Sequence, residues 1–310
     1  MLKLTGFDVV LAVAGNLYLL LALAGVCIAL WKGKTRARKG VYATLVLAVF
    51  IAPIAPDIYR TAKYRNRLAK AETMFAERCK TSGEKIHKTV ENVEGVYLMK
   101  LRPGGINFSD QFKLDDPYGA DLLGGAGYIG SFVQGHYAAG HVINPKVGGK
   151  RPEGYRYVEA IDPKEGQRYR YTGGMKVVSQ KDINHPNIQR ALKENPNFDV
   201  NTYGFVLDKV PAPGPLPRYG ITYDDISTHE EREYWIAGSS LKVIDLQTNE
   251  VIAERVGYMV DWGQGSRGGG RSPWLFAAEN ICPEYPSGRG SSSQSYQATS
   301  FVEKVLKPSK

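Results

Sequence analysis

The sequence predicts a membrane-anchored α+β protein: two N-terminal transmembrane helices, then a mainly antiparallel β ectodomain with a membrane-proximal helix. Three observations predict it. Residues 9–31 carry no charge. A second apolar run follows at 41–58. From 154 onward, short runs of alternating apolar and polar residues are separated by Gly, Pro and Asn turns, the pattern of half-buried strands.

The first span is long enough for a hydrocarbon core of roughly 30 Å at 1.5 Å per residue. A cleaved signal peptide fits it less well, because only Lys3 precedes it and no small-x-small site precedes a polar mature start. Val26 before Cys27 also spoils a lipoprotein cleavage box, whose residue there is small. The second span is shorter and contains Pro53 and Pro56 near its end, which membrane helices tolerate. Tyr42 and Tyr59 stand where interfacial aromatics sit.

The predicted organisation is an anchor over 1–59, a juxtamembrane helical segment over 60–94 and a globular domain over 95–310. In the segment, Tyr64, Leu68, Ala71, Phe75 and Cys79 form an apolar stripe on a charged helix. Thr81 with Glu84 matches a capping box for a short helix over 85–93. Strands are expected at 95–102, 155–161, 167–172, 175–179, 203–209 and 219–226, with a helix at 187–194. The clearest local unit is a meander over 233–262, with runs at 234–237, 241–246 and 251–260 and a four-residue connection at 247–250.

The formal charge of +9 is confined to the membrane-flanking region. Residues 1–59 contribute +4, residues 60–70 contribute +5, and 71–310 sum to zero. A nucleic-acid partner would need a basic face on the folded domain, so none is expected; the lipid bilayer is the expected contact of these cations. The loop 32–39 holds five Lys and Arg and no acid, which makes it cytoplasmic by the positive-inside rule and puts the domain outside. The five cations at 60–70 pull the other way. Cys79 and Cys282, an even pair outside the spans, fit one structural disulfide in an oxidising compartment.

Gly125, Gly127 and Gly130 match GxGxxG, but a dinucleotide site also needs a strand before, a helix after and an acid about 20 residues on. A glycine loop is the expectation. His136 and His141 stand five apart, a spacing that does not put both on one helix face as four does, and no third ligand is fixed; no metal and no cofactor are expected. The SxxK matches at Ser82 and Ser239 lack the companion motifs of serine enzymes acting on cell-wall peptides. Adjacent acids such as Asp115–Asp116 or Asp224–Asp225 point to opposite faces of a strand. The segment 267–274 combines Arg267, Arg271 and Trp274 with three glycines, a composition suited to an anion or a partner surface.

These readings point to a non-catalytic periplasmic binding protein, multi-pass in a bacterial inner membrane, with a protein partner in the envelope. Either an accessory subunit of a membrane complex or an immunity-type inhibitor of a toxin fits. The alternative is an envelope hydrolase with an unfamiliar site near His136 and His141.

Overall fold

The computed structural model describes residues 6–102, 111–113, 118, 124–135, 154–270, 274, 277–284 and 296–309. The chain divides into two compact units, 1–69 and 70–310.

The first unit is helical. Helix α1 (Gly6–Lys32) contains a 20-residue stretch, Val13–Lys32, of mean hydropathy 2.2, long and apolar enough to cross a membrane. Helix α2 (Arg36–Ile51) is started by Thr35, whose hydroxyl accepts from the Arg38 amide at 3.3 Å. The two helices meet closely where Gly25 faces Val46: a Cβ on Gly25 would lie 2.9 Å from the valine methyl. Farther along the same helix pair, the rings of Tyr18 and Phe50 meet edge to face at 5.3 Å. After α2 the chain turns by 68° into α3 (Ala55–Thr81), at the prolines the sequence places there. Alone, α2 has 16 residues, fewer than the ~20 of a full span.

The second unit is an α+β domain, mostly antiparallel. From Lys70 onward α3 belongs to it. Met74 and Phe75 pack on Ile236, Tyr258 and Val260, and Arg78 pairs with the buried Glu231. The part of the stripe from Ala71 to Cys79 therefore packs on its own domain. Strands β1 (Gly83–Ile86), β2 (Val90–Val93) and β3 (Gly95–Leu98) follow. The expected helix over 85–93 does not form. Its capping carboxylate, Glu84, instead holds Arg255 at 3.1 Å and Lys304 at 2.9 Å, and β1 pairs antiparallel along β9 (Glu250–Val260). Tertiary pairing wins over a local cap worth roughly 1 kcal/mol.

The GxGxxG segment is α4 (Gly125–Gln134), a helix rather than a loop, with Tyr128 to Val133 buried. Next come β4 (Tyr157–Ile161), β5 (Arg168–Gln180), α5 (Pro186–Glu194), β6 (Asn201–Pro211), β7 (Tyr219–Asp225), α6 (His229–Glu233), β8 (Ile236–Asp245), β9, β10 (Ile281–Cys282), α7 (Gln297–Val305) and β11 (Leu306–Pro308). The main sheet runs β1-β9-β8-β7-β3-β4-β5-β6, with β10 also on β9; β11 and β2 form a separate parallel pair. Among the described residues, only β3 pairs in parallel fashion within the main sheet, with β4 and β7. The expected meander is a single hairpin: 234–237 and 241–246 merge into β8, joined to β9 with Asp245 opposite Glu250.

The core lies between this sheet and helices α4 and α7. Val96, Leu98, Val158, Ile221 and Val243 from the strands meet Phe132 from α4 and Phe301 from α7. Ser131 and Thr299 share a 2.7 Å hydrogen bond across the two helices. Gly95 is required where it stands, because its register partner Tyr157 would lie 2.3 Å from a Cβ.

Cys79 and Cys282 form the disulfide, with Cα atoms 5.4 Å apart. It fastens the end of α3 to β10, and with it the chain's C-terminal portion, to the edge of the sheet.

Candidate functional site

The loop after β9 is built by one carboxylate. Asp261, 1% exposed, accepts from the amides of Gly263 at 3.0 Å and Gly265 at 3.1 Å, and Gln264 Nε2 donates to the Tyr234 carbonyl at 2.8 Å. Gly265, at φ +73°, lies against the Trp235 ring, which a Cβ would meet at 1.9 Å. These contacts fix the first glycines of a segment whose composition alone reads as mobile. Trp274 is 0% exposed and packs on Trp235 with ring centroids 5.0 Å apart. It is a core residue, so its ring is not offered to a partner. Arg267 is exposed; Arg271 lies outside the described residues, as do His136 and His141. Among the described residues no three His, Cys, Asp or Glu side chains gather as metal ligands would.

A different surface stands out, and it begins with a carboxylate network. Glu159, fully buried on β4, accepts from Arg170 Nη2 at 2.7 Å and lies 3.5 Å from Arg168 Nε. The Arg170 guanidinium also covers the Tyr157 ring at 3.9 Å. At the turn before β5, Asp162 accepts from Lys209 Nζ at 2.7 Å and from the Lys164 amide at 2.8 Å. The hydrogen bond from Lys209, helped by that amide, lowers the Asp162 carboxyl from its ordinary value to about 2. The same lysine lowers Glu165 and is itself raised by the two carboxylates. Charges thus lock the base of the β5–β6 hairpin.

Beyond this base the hairpin is an arm. Among the described residues, β4 pairs with β5 from Arg168 to Tyr171. From Thr172 to Gln180, β6 is the strand beside β5 among the described residues. Val178 is 52% exposed and Ile183 is 53% exposed, and α5 at the tip buries no residue. That helix has an ordinary start: Pro186 stands in its first turn and His185 Nδ1 accepts from the Asn187 amide at 3.3 Å. Ile188, Ala191 and Leu192 share one face at helical spacing and are only half-buried. The tip is held in shape by Lys181, which lies over the Phe198 ring at 4.7 Å, and by the Tyr203 hydroxyl donating to Asp199 at 2.9 Å.

The arm was hidden in the sequence by Gly173-Gly174, which divides 167–172 from 175–179. The structure runs one strand through both. Gly173 admits the Phe205 ring, which a Cβ would meet at 2.4 Å, so the glycine serves a cross-strand contact rather than a turn. The signal that could have found it is a helix at 187–194 between two strand-like runs.

No protein-family model matches the chain, and comparison with curated proteins and with solved structures returned no match.

Proposed function

We propose that this chain is a multi-pass protein of a bacterial inner membrane whose periplasmic domain binds another envelope protein through the β5–α5–β6 arm. The anchoring half of the reading rests on α1 and on the bent pair α2–α3, with the loop 32–39 held in the cytoplasm by its cations. The disulfide supports an oxidising compartment for the domain.

One observation carries the binding half. The outer part of this hairpin, beyond Phe205 and Leu207 where it packs on the core, carries aliphatic side chains that its own domain leaves exposed. The two-strand ribbon and its tip helix leave Val178 and Ile183 exposed and the Ile188 face half-buried, apolar area whose burial under another surface would be favourable. The base, by contrast, is fastened by Lys209 to two carboxylates, so the arm is presented on a fixed root. The role is that of a binder, either an accessory subunit or an immunity-type inhibitor. The buried Trp274 leaves the 267–274 segment without the aromatic anchor that made it a contact surface.

A photo-reactive residue placed at Val178 or Ile183 of the full-length protein, in its native membranes, tests this. The expected result is a discrete crosslinked protein species from both positions and none from exposed Lys164 at the arm's base. Crosslinks absent at both arm positions, or equal at Lys164, would reject the arm as the contact.

A further inference from the structure

A small cavity of about 10 Å³ lies between β8, β9 and the start of α7, away from the arm. That is room for one small occupant, on the order of a single water molecule in size. Its walls include Arg102, Arg255, Ser239, Gln297 and Tyr118. Two guanidiniums that are 2% and 5% exposed line a space the size of one atom.

The hydrogen-bond inventory decides what belongs there. Gln297 Oε1 is already saturated: it accepts from the Tyr118 hydroxyl at 2.6 Å and from Arg255 Nε and Nη2 at 3.4 and 3.2 Å. Gln297 Nε2 and Ser239 Oγ are buried and have no hydrogen-bond partner among the described residues. A buried donor left unmade costs about 1–3 kcal/mol, so both call for an acceptor in the cavity. Ala298, in the first turn of α7, also lines the cavity. The amides of a first helical turn lack intrahelical partners and carry the positive end of the helix dipole; the N-cap Tyr296 supplies no side-chain cap.

Charge agrees. Arg255 shares its carboxylate, Glu84, with Lys304, so that trio leaves positive charge beside the cavity. Arg102 is held over the Tyr223 ring at 4.2 Å. A water molecule would bring two protons into a wall of donors, where, among the described lining side chains, only the Ser239 and Tyr118 hydroxyl oxygens are left to accept them. An anion brings none. We propose that this cavity is a built-in site for a monatomic anion, chloride being the abundant one, and that it ties α7 to the sheet. Oxyanions such as sulfate exceed its volume.

The test is thermal unfolding of the full-length protein in detergent micelles, in sodium chloride against sodium gluconate at matched ionic strength. Tm is expected to rise by about 3–5 °C for each tenfold increase in chloride above half-saturation. Bromide should substitute and sulfate should not. Ser239→Ala should weaken the response at least tenfold in concentration. Should that variant fail to fold, crystals of the wild type grown in bromide should show an anomalous peak within hydrogen-bond distance of Ser239 Oγ. Equal Tm in chloride and gluconate, an unchanged response in Ser239→Ala, or no bromide peak would each overturn the site.

Discussion

Asp162 and Lys209 set how firmly the arm is rooted, and their chemistry gives a prediction with a definite sign. The Asp162 carboxyl is lowered to about 2 by the Lys209 hydrogen bond and the Lys164 amide, against about 3.9 in an unfolded chain. A depressed carboxyl stabilises the folded state fully above the unfolded value, and that contribution is lost as pH falls through the folded one. The hairpin base should therefore loosen between about pH 4 and pH 2. NMR titration of the Asp162 side-chain carbon should show a midpoint near 2, moving up toward the ordinary value in Lys209→Met; a wild-type midpoint near 4 would remove the lock. Gly154 gives a second prediction. A Cβ there would lie 2.3 Å from the Phe132 carbonyl oxygen and 2.5 Å from the Gly135 amide. Those are backbone atoms that cannot swing aside, so Gly154→Ala should destabilise by about 3 kcal/mol in urea unfolding.

Elements show where local sequence decided structure and where it did not. Helix 187–194 and the strands at 203–209 and 219–226 were legible because their own periodicity and caps agree with their surroundings. The helix expected over 85–93 failed because Glu84 answers to Arg255 and Lys304, more than 160 residues away in sequence. The arm failed for a similar reason: Gly173 reads as a break until Phe205 is known to lie on it. Of the candidate contact surface, Arg267 proved exposed, whereas Trp274 went to the core because Trp235 and its neighbours gave it one. The disulfide pairing was legible from its even count alone. Cys79→Ser with Cys282→Ser should lower stability by up to about 5 kcal/mol on the chain-entropy model, since the bond spans 203 residues. A matching fall in Tm is the check. Excising 177–203 and joining Lys176 to Gly204 through an Asn-Gly turn should leave Tm within a few degrees while abolishing the partner crosslink. The excised segment buries no fully enclosed side chain, so loss of fold on excision would make the arm structural.

At the scale of the whole molecule, an apolar helical unit precedes a domain of no net charge that a disulfide closes. Composition announced that division, because all nine excess positive charges fall within 1–70. Direction across the membrane was less legible, since cations flank the second apolar run on both sides. Under the proposed topology, the short α2 and its 68° bend into α3 make a second crossing the point on which localisation turns. In that proposal α2 and the start of α3 complete a span, which would put domain 70–310 and its disulfide on the oxidising side. The decisive measurement is a pair of reporter fusions after residue 70, one active only outside the cytoplasm and one only inside, read with thiol alkylation of Cys79 and Cys282 in intact cells. The account predicts activity from the periplasmic reporter alone and cysteines that resist alkylation until reduced. Activity from the cytoplasmic reporter, with both cysteines alkylated directly, would contradict it.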